Sequence, residues 1–118
     1  MAKPVGPYTP IVRAGEWLVV SGQVGIVDGK LVSGGLEAEL RQAIANLEAL
    51  LASEGASLHD VTKTTVFLKH LGSDYARMNE VYVECFGDHR PARSAIGVAE
   101  LPLGALVELE AWAYVGAG

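Results

Sequence analysis

From Val107 to Val115 the chain alternates in character at every residue, and a period of two is the signature of a β-strand. Val107, Leu109, Ala111, Ala113 and Val115 share one side and are all apolar or small, a surface on which helices can pack. Leu106, Glu108, Glu110, Trp112 and Tyr114 share the other. Carboxylates beside large aromatics make neither a dry core nor a plain wetted face. Such a surface is expected to be an interface or the wall of a pocket. Taken singly, Glu110 fits an ordinary solvated position.

The rest of the chain supplies partners for that strand. The opening Lys3-Pro4-Val5-Gly6-Pro7-Tyr8-Thr9-Pro10 holds three prolines, cannot be helical and reads as an extended arm. Trp17 to Gly22 is a strand by its branched and aromatic content. Val24 to Leu31 reads as a hairpin, with Asp28-Gly29 as its tight turn. Leu36, Leu40, Ala43, Ile44, Leu47 and Leu51 recur at helical spacing, so a helix is expected from about Gly35 to Glu54, ended by Gly55. Val61 to Lys69, rich in Val, Thr and Phe, is a further strand. Ser73 is expected to cap a second helix, with Tyr75, Met78, Tyr82 and Cys85 or Phe86 as its apolar stripe and Gly87 at its end. Two strands follow, about Arg93 to Val98 and Ala105 to Val115, joined by a turn at Pro102-Leu103-Gly104. Counting both hairpin arms, the order is β-β-β-α-β-α-β-β. Helices that follow strands act as crossovers, which predicts an α+β two-layer sandwich: one mixed sheet with two helices on one face. At this length, residues 1–118 are expected to form one domain.

Composition narrows the function classes. Half of the 118 residues are hydrophobic and 19% are charged. That is apolar for a small chain and points to a further buried surface, most simply between subunits. A net charge of -5, with the basic residues scattered, argues against a dedicated nucleic-acid surface. Cys85 is the sole cysteine, so no internal disulfide is possible, and its place on a helix stripe makes it a small buried hydrophobe. The first ten residues lack the apolar region of a signal peptide, and no apolar run is long enough to span a membrane. A soluble cytoplasmic protein is the expectation. His59, His70 and His89 lie far apart without ligand-like spacing and read as surface loop residues, so no metal site is expected. Val32-Ser33-Gly34-Gly35 lacks both a Walker lysine and a dinucleotide-loop spacing, and no nucleophile elbow surrounds Ser21.

One charge stands out against this background. Arg93 opens the apolar run Ala95-Ile96-Gly97-Val98-Ala99, and no Asp or Glu follows it within six residues. Arginine rarely enters an apolar setting unpaired. Either it snorkels to water from a strand end, or its partner is an anion from outside the chain.

Six blocks then occur in order: Gly6-Pro7-Tyr8, Val20-Ser21-Gly22-Gln23, Val61 to Leu68, Met78-Asn79-Glu80-Val81-Tyr82, Pro91-Ala92-Arg93-Ser94 and Val107-Glu108-Leu109-Glu110-Ala111. Together they resemble the RidA (YjgF) family of reactive imine and enamine deaminases, over nearly the whole chain. The resemblance implies a chorismate-mutase-like fold and a homotrimer whose sheets form a central barrel, with ligand clefts between subunits. It implies that Arg93 anchors the carboxylate of a 2-imino acid bidentately. By the same similarity, Glu108 holds the attacking water and Tyr8 closes the cleft. Ser21 and Gly22 line the cleft, and Asn79 matches the asparagine of the second helix. Where many relatives carry cysteine two positions after the arginine, this chain has Ala95, so only a backbone amide remains there to meet the ligand. The implied reaction takes a 2-imino acid such as 2-aminoacrylate to a 2-keto acid and ammonia, with no metal or organic cofactor. The implied partners are a 2-imino or 2-keto acid and further copies of the chain, without nucleic acid or membrane. A protein that binds small carboxylates without turning them over remains an alternative, as does an endoribonuclease. Chorismate mutase shares the fold, but fold alone does not carry function.

Overall fold

A computed structural model describes residues 6–116. Seven strands and two helices run in the order β1 (Ile11–Ala14), β2 (Trp17–Gln23), β3 (Ile26–Val27), β4 (Lys30–Leu31), α1 (Gly35–Ser53), β5 (Val61–Leu68), α2 (Leu71–Phe86), β6 (Ala92–Gly97) and β7 (Val107–Tyr114). The main sheet has the spatial order β1-β2-β7-β5-β6. Only β5 and β6 pair in parallel, joined through α2 as a crossover; the other pairs are antiparallel. Both helices pack on one face of this mixed sheet, as the α+β sandwich expectation requires.

Burial explains the layers. Leu36, Leu40, Ala43, Ile44, Leu47 and Leu51 of α1 are all buried, as their spacing demands. They meet Leu18 and Val20 of β2, Val66 and Leu68 of β5, and Val107, Leu109, Ala111 and Ala113 of β7 in one apolar cluster. Alanines at 111 and 113 keep the centre of the sheet low, so a helix can lie close above it. Two helices are also tied across their outer face, where Arg41 reaches Glu37 and Glu84 while Arg77 reaches Glu37 and Glu80. Such exposed pairs contribute little energy beside the core.

Four expectations need correction. First, Ile11–Ala14 forms an edge strand that the opening arm did not foretell; it returns to β2 through a turn at Gly15-Glu16, with Gly15 at φ +62. A strand this short carries no alternation of its own and exists because β2 offers it a ladder. Second, the hairpin around Asp28-Gly29 forms with both residues left-handed, yet its two-residue arms make a separate small sheet. Val24 and Ile26 turn instead toward Ala105, Leu31 and Leu101. Asn46 of α1 holds them by donating to the carbonyls of Val24 and Ile26. Third, Ser73 does not cap α2. The helix begins at Leu71 after His70, and the Ser73 hydroxyl donates back to the His70 carbonyl from inside the first turn. Leu71 packs close over Gly97 of β6, where an added Cβ would come within 3.2 Å of its own. Fourth, Tyr75 leaves the buried stripe of α2. Met78, Val81, Tyr82 and Phe86 are buried, Cys85 is half-buried, and Tyr75 is 42% exposed. The strands at 92–97 and 107–114 are otherwise within two residues of their expected bounds.

One polar contact crosses the core. The hydroxyls of Thr64 and Tyr82 are 2.7 Å apart and buried. Tyr82→Phe leaves the Thr64 hydroxyl buried without a partner and is expected to cost about 1–2 kcal/mol in urea unfolding. Adding Thr64→Val should recover most of that loss, because then neither polar group remains. Equal destabilisation in the double variant would contradict this account.

Candidate functional site

Arg93 is held at the edge of the sheet on its helix side. It pairs in register with Thr64, whose side chain is buried beneath α2, and paired residues of neighbouring strands point the same way. Its guanidinium carbon lies 5.0 Å from the ring centroid of Tyr82 and 5.7 Å from that of Tyr75. Nη2 donates to the Tyr75 phenol oxygen at 3.1 Å, and Nη1 reaches the Met78 sulfur at 3.6 Å. Aromatic faces and a thioether are soft partners that fix the plane of the group. Among the described residues no carboxylate pairs with it. An open groove of about 470 Å³ runs beside it, lined by Leu71, Gly72, Tyr75, Arg93 and Ala95. Asn79, half-buried, stands one helical turn beyond Tyr75 on α2.

Glu108 belongs to a different surface. It sits between the fully buried Val107 and Leu109, so its side chain leaves the sheet on the face without helices. Burial pushes its carboxyl above the usual range, and the neighbouring Glu110 carboxylate pushes it further the same way. The side chain lies flat against Gly22: a Cβ there would come within 2.6 Å of Oε2. Gly22 occupies an irregularity in the pairing of β2 with β7, between Val20 and Gln23. Just before it, the Ser21 hydroxyl donates to the Thr9 carbonyl at 2.7 Å, and the Ser21 amide donates to Pro10. Ser21 therefore latches the opening arm, which carries the exposed Tyr8, onto β2 beside Gly22.

The seven residues thus fall into two groups. Arg93, Ala95 and Asn79 belong to the β6–α2 edge; Tyr8, Ser21, Gly22 and Glu108 belong to the open face near β2 and β7. Two strand spacings, about 10 Å, and the thickness of the sheet separate them. One chain does not bring Arg93 and Glu108 together. The open face between them is unusually apolar: Val12, Trp17, Ile96, Trp112 and Tyr114 are each at least 36% exposed there. Trp17 packs edge-on against both Trp112 and Tyr114.

The neighbours of Arg93 were hidden in the sequence because a helix stripe of Tyr75, Met78 and Tyr82 reads as core. The available signal was two tyrosines where leucines would pack as well. Burial raises the Cys85 thiol above its ordinary value, in keeping with an unreactive side chain. The histidines need a further correction. His59 and His89 meet with ring centroids 5.7 Å apart, because the turn before β5 folds back on the end of α2, and His89 bonds the Val61 carbonyl. Among the described residues no group of three side chains is placed to hold a metal ion, and no helix is long and apolar enough to cross a membrane.

Fold and site together define a small α+β protein with an arginine at one sheet edge that no described carboxylate pairs, and a half-buried carboxylate on the opposite face. Residues 1–115 match the sequence model of the family described as Endoribonuclease L-PSP. A RutC family protein of Pyrococcus horikoshii is 46% identical, over 95% of this chain and 90% of its own. The 2-iminobutanoate/2-iminopropanoate deaminase of Homo sapiens is 40% identical, over 95% of this chain and 82% of its own. RidA from an Antarctic Psychrobacter superposes with a TM-score of 0.91 at 38% identity, covering 96% of this chain and 92% of that one. E. coli TdcF with bound serine superposes with a TM-score of 0.89 at 33% identity, covering 96% and 91%. The chain belongs to this family, the RidA/YjgF proteins.

The electrostatics of Glu108 can be read directly. A carbon-13 titration of its carboxyl should place the midpoint above the ordinary glutamate range, and Glu110→Gln should lower it without removing the part due to burial. An ordinary midpoint in the unaltered protein would refute the assigned environment.

Proposed function

We propose that this protein hydrolyses 2-imino acids and their enamine tautomers, such as 2-aminoacrylate, to 2-keto acids and ammonia. The observation that carries the reading is Arg93: a cation held in plane by two aromatic rings and a thioether, open to a groove and unmatched by any described carboxylate. That is a site prepared for a planar anion from outside the chain. The deaminase name borne by relatives at about 40% identity supports the choice of substrate. The endoribonuclease in the family description finds little support in a net charge of -5 with the basic residues scattered.

The working unit in this proposal is a homotrimer. Packing the open sheet face of one copy against another would cover its exposed aromatics and give Arg93 of one chain the Glu108 of its neighbour. The reaction then needs little of the protein. Arg93 grips the substrate carboxylate, with Ala95 and Asn79 beside it, while Tyr8 closes the cleft over Ser21 and Gly22. Orientation at the imine carbon supplies much of the rate. Glu108, its basicity raised by burial, takes a proton from water as the oxygen adds to the imine carbon. Glu108 gives that proton to nitrogen, the adduct's hydroxyl proton then moves to nitrogen by way of Glu108 as the C=O forms, and the carbon–nitrogen bond breaks so that ammonia leaves a 2-keto acid. One water is consumed and no electrons change hands, so the residues named here complete the balance. A half-buried lone thiol, Cys85, agrees with a cytoplasmic location.

When 2-aminoacrylate is generated enzymatically in the assay, keto-acid release should exceed the spontaneous rate. Arg93→Lys keeps the charge but loses the fork, and kcat/KM should fall at least about tenfold. A near-normal rate in that variant would remove the anchoring role. Mass measurement in solution should return three chain masses, whereas a stable monomer would end the shared-cleft proposal.

A further inference from the structure

We propose that Tyr75 is a second carboxylate-binding group, donating its phenol proton to the anion that Arg93 grips; this rests on the reading of Arg93 given above. Tyr75 stands on α2 at the lip of the groove, 42% exposed, with its ring forming one wall. An aromatic residue in the first turns of a packed helix needs no hydroxyl, and here the hydroxyl is not idle. It accepts from Nη2 of Arg93 at 3.1 Å. A phenol that accepts one hydrogen bond still has its own proton to give. Among the described residues that proton has no acceptor. The other tyrosine against Arg93 differs: Tyr82 has its hydroxyl committed to Thr64 in the core. The two rings thus divide the work. Tyr82 is a buried platform beneath the guanidinium, and Tyr75 is a polar rim beside it.

The geometry decides what the free proton can reach. An anion on the outer side of the guanidinium is within a hydrogen bond of Nη2, and the Tyr75 oxygen is itself 3.1 Å from that nitrogen. One carboxylate oxygen can therefore accept from both. The rest of the groove, Leu71, Gly72 and Ala95, has no side-chain polar group and would receive the non-acid part of the ligand. A ligand without a planar anion leaves the phenol proton unused, so the residue favours acids over their neutral counterparts.

The test uses the stable product analogue 2-ketobutyrate with the intact protein. Calorimetric titration of the wild type should show binding, and Tyr75→Phe, which keeps the ring, should bind about tenfold more weakly. With imine substrate, KM should rise by a similar factor while kcat and the melting temperature stay near wild type. Equal affinity in the two proteins overturns the role of Tyr75 and leaves Arg93 untouched. A weaker affinity that comes with a lower melting temperature or an equal fall in kcat also overturns it, since the phenol would then support the fold or the transition state. Failure of the wild type to bind 2-ketobutyrate overturns the anchor reading itself and this inference with it.

Discussion

The structure depends on the two unlike faces of β7. This strand is third of five in the sheet, with β2 and β5 on either side, so it is the strand that every other element must respect. Its inner side, Val107, Leu109, Ala111 and Ala113, is fully buried under the helices. Small residues at 111 and 113 let the helical layer approach, and the apolar contact there is the main source of stability. Its outer side cannot be core, because Glu108 and Glu110 share it with Trp112 and Tyr114. A strand with one dry face and one mixed face commits the molecule to a single helical layer and leaves the opposite face for another purpose.

The charge of Arg93 is the complementary constraint. A half-buried guanidinium needs donors satisfied and charge balanced. The chain meets the first need with Tyr75, Met78 and the ring of Tyr82, and among the described residues the second is left open. Glu37 is engaged by Arg41 and Arg77 on the outer helical surface. Glu108 is on the far side of the sheet. Among the described residues no carboxylate balances the charge of Arg93, and the proposed anion site rests on that observation. Glu108 shows the converse: among the described residues an acid with no cation beside it, its ionised form disfavoured by burial and by Glu110. Its ionisation works against the folded chain. The protonated form contributes fully below the ordinary glutamate value, and that contribution is lost as pH rises through the raised one.

Much of this was legible before any coordinates. The helical stripe of α1, the Asp28-Gly29 turn, the crossover through β5, α2 and β6, and the two-faced β7 all follow from local periodicity and turn chemistry. The failures share a physical cause. β1 exists only because β2 lends it hydrogen bonds, and the hairpin leaves the main sheet because Gly25 lets it close against Glu39 of α1, where a Cβ would strike the helix backbone at 2.6 Å. α2 begins at Leu71, which packs over Gly97, two residues before the serine that local capping rules favour. Tyr75 looked like core because helical spacing tells which side a residue takes, and not whether a neighbour arrives to cover it.

The sequence by itself determined the elements, the layering and which residues were chemically out of place: Arg93 in an apolar run, Glu108 among aromatics. These follow from the period of side chains along a backbone, which is a local property. Only the tertiary structure decided where the out-of-place residues went. It put Arg93 and Glu108 on opposite faces, gave the arginine two tyrosines and a methionine in place of an acid, and made Ser21 a latch for the arm. Strand order and register set those outcomes, and they depend on contacts between residues far apart in the chain.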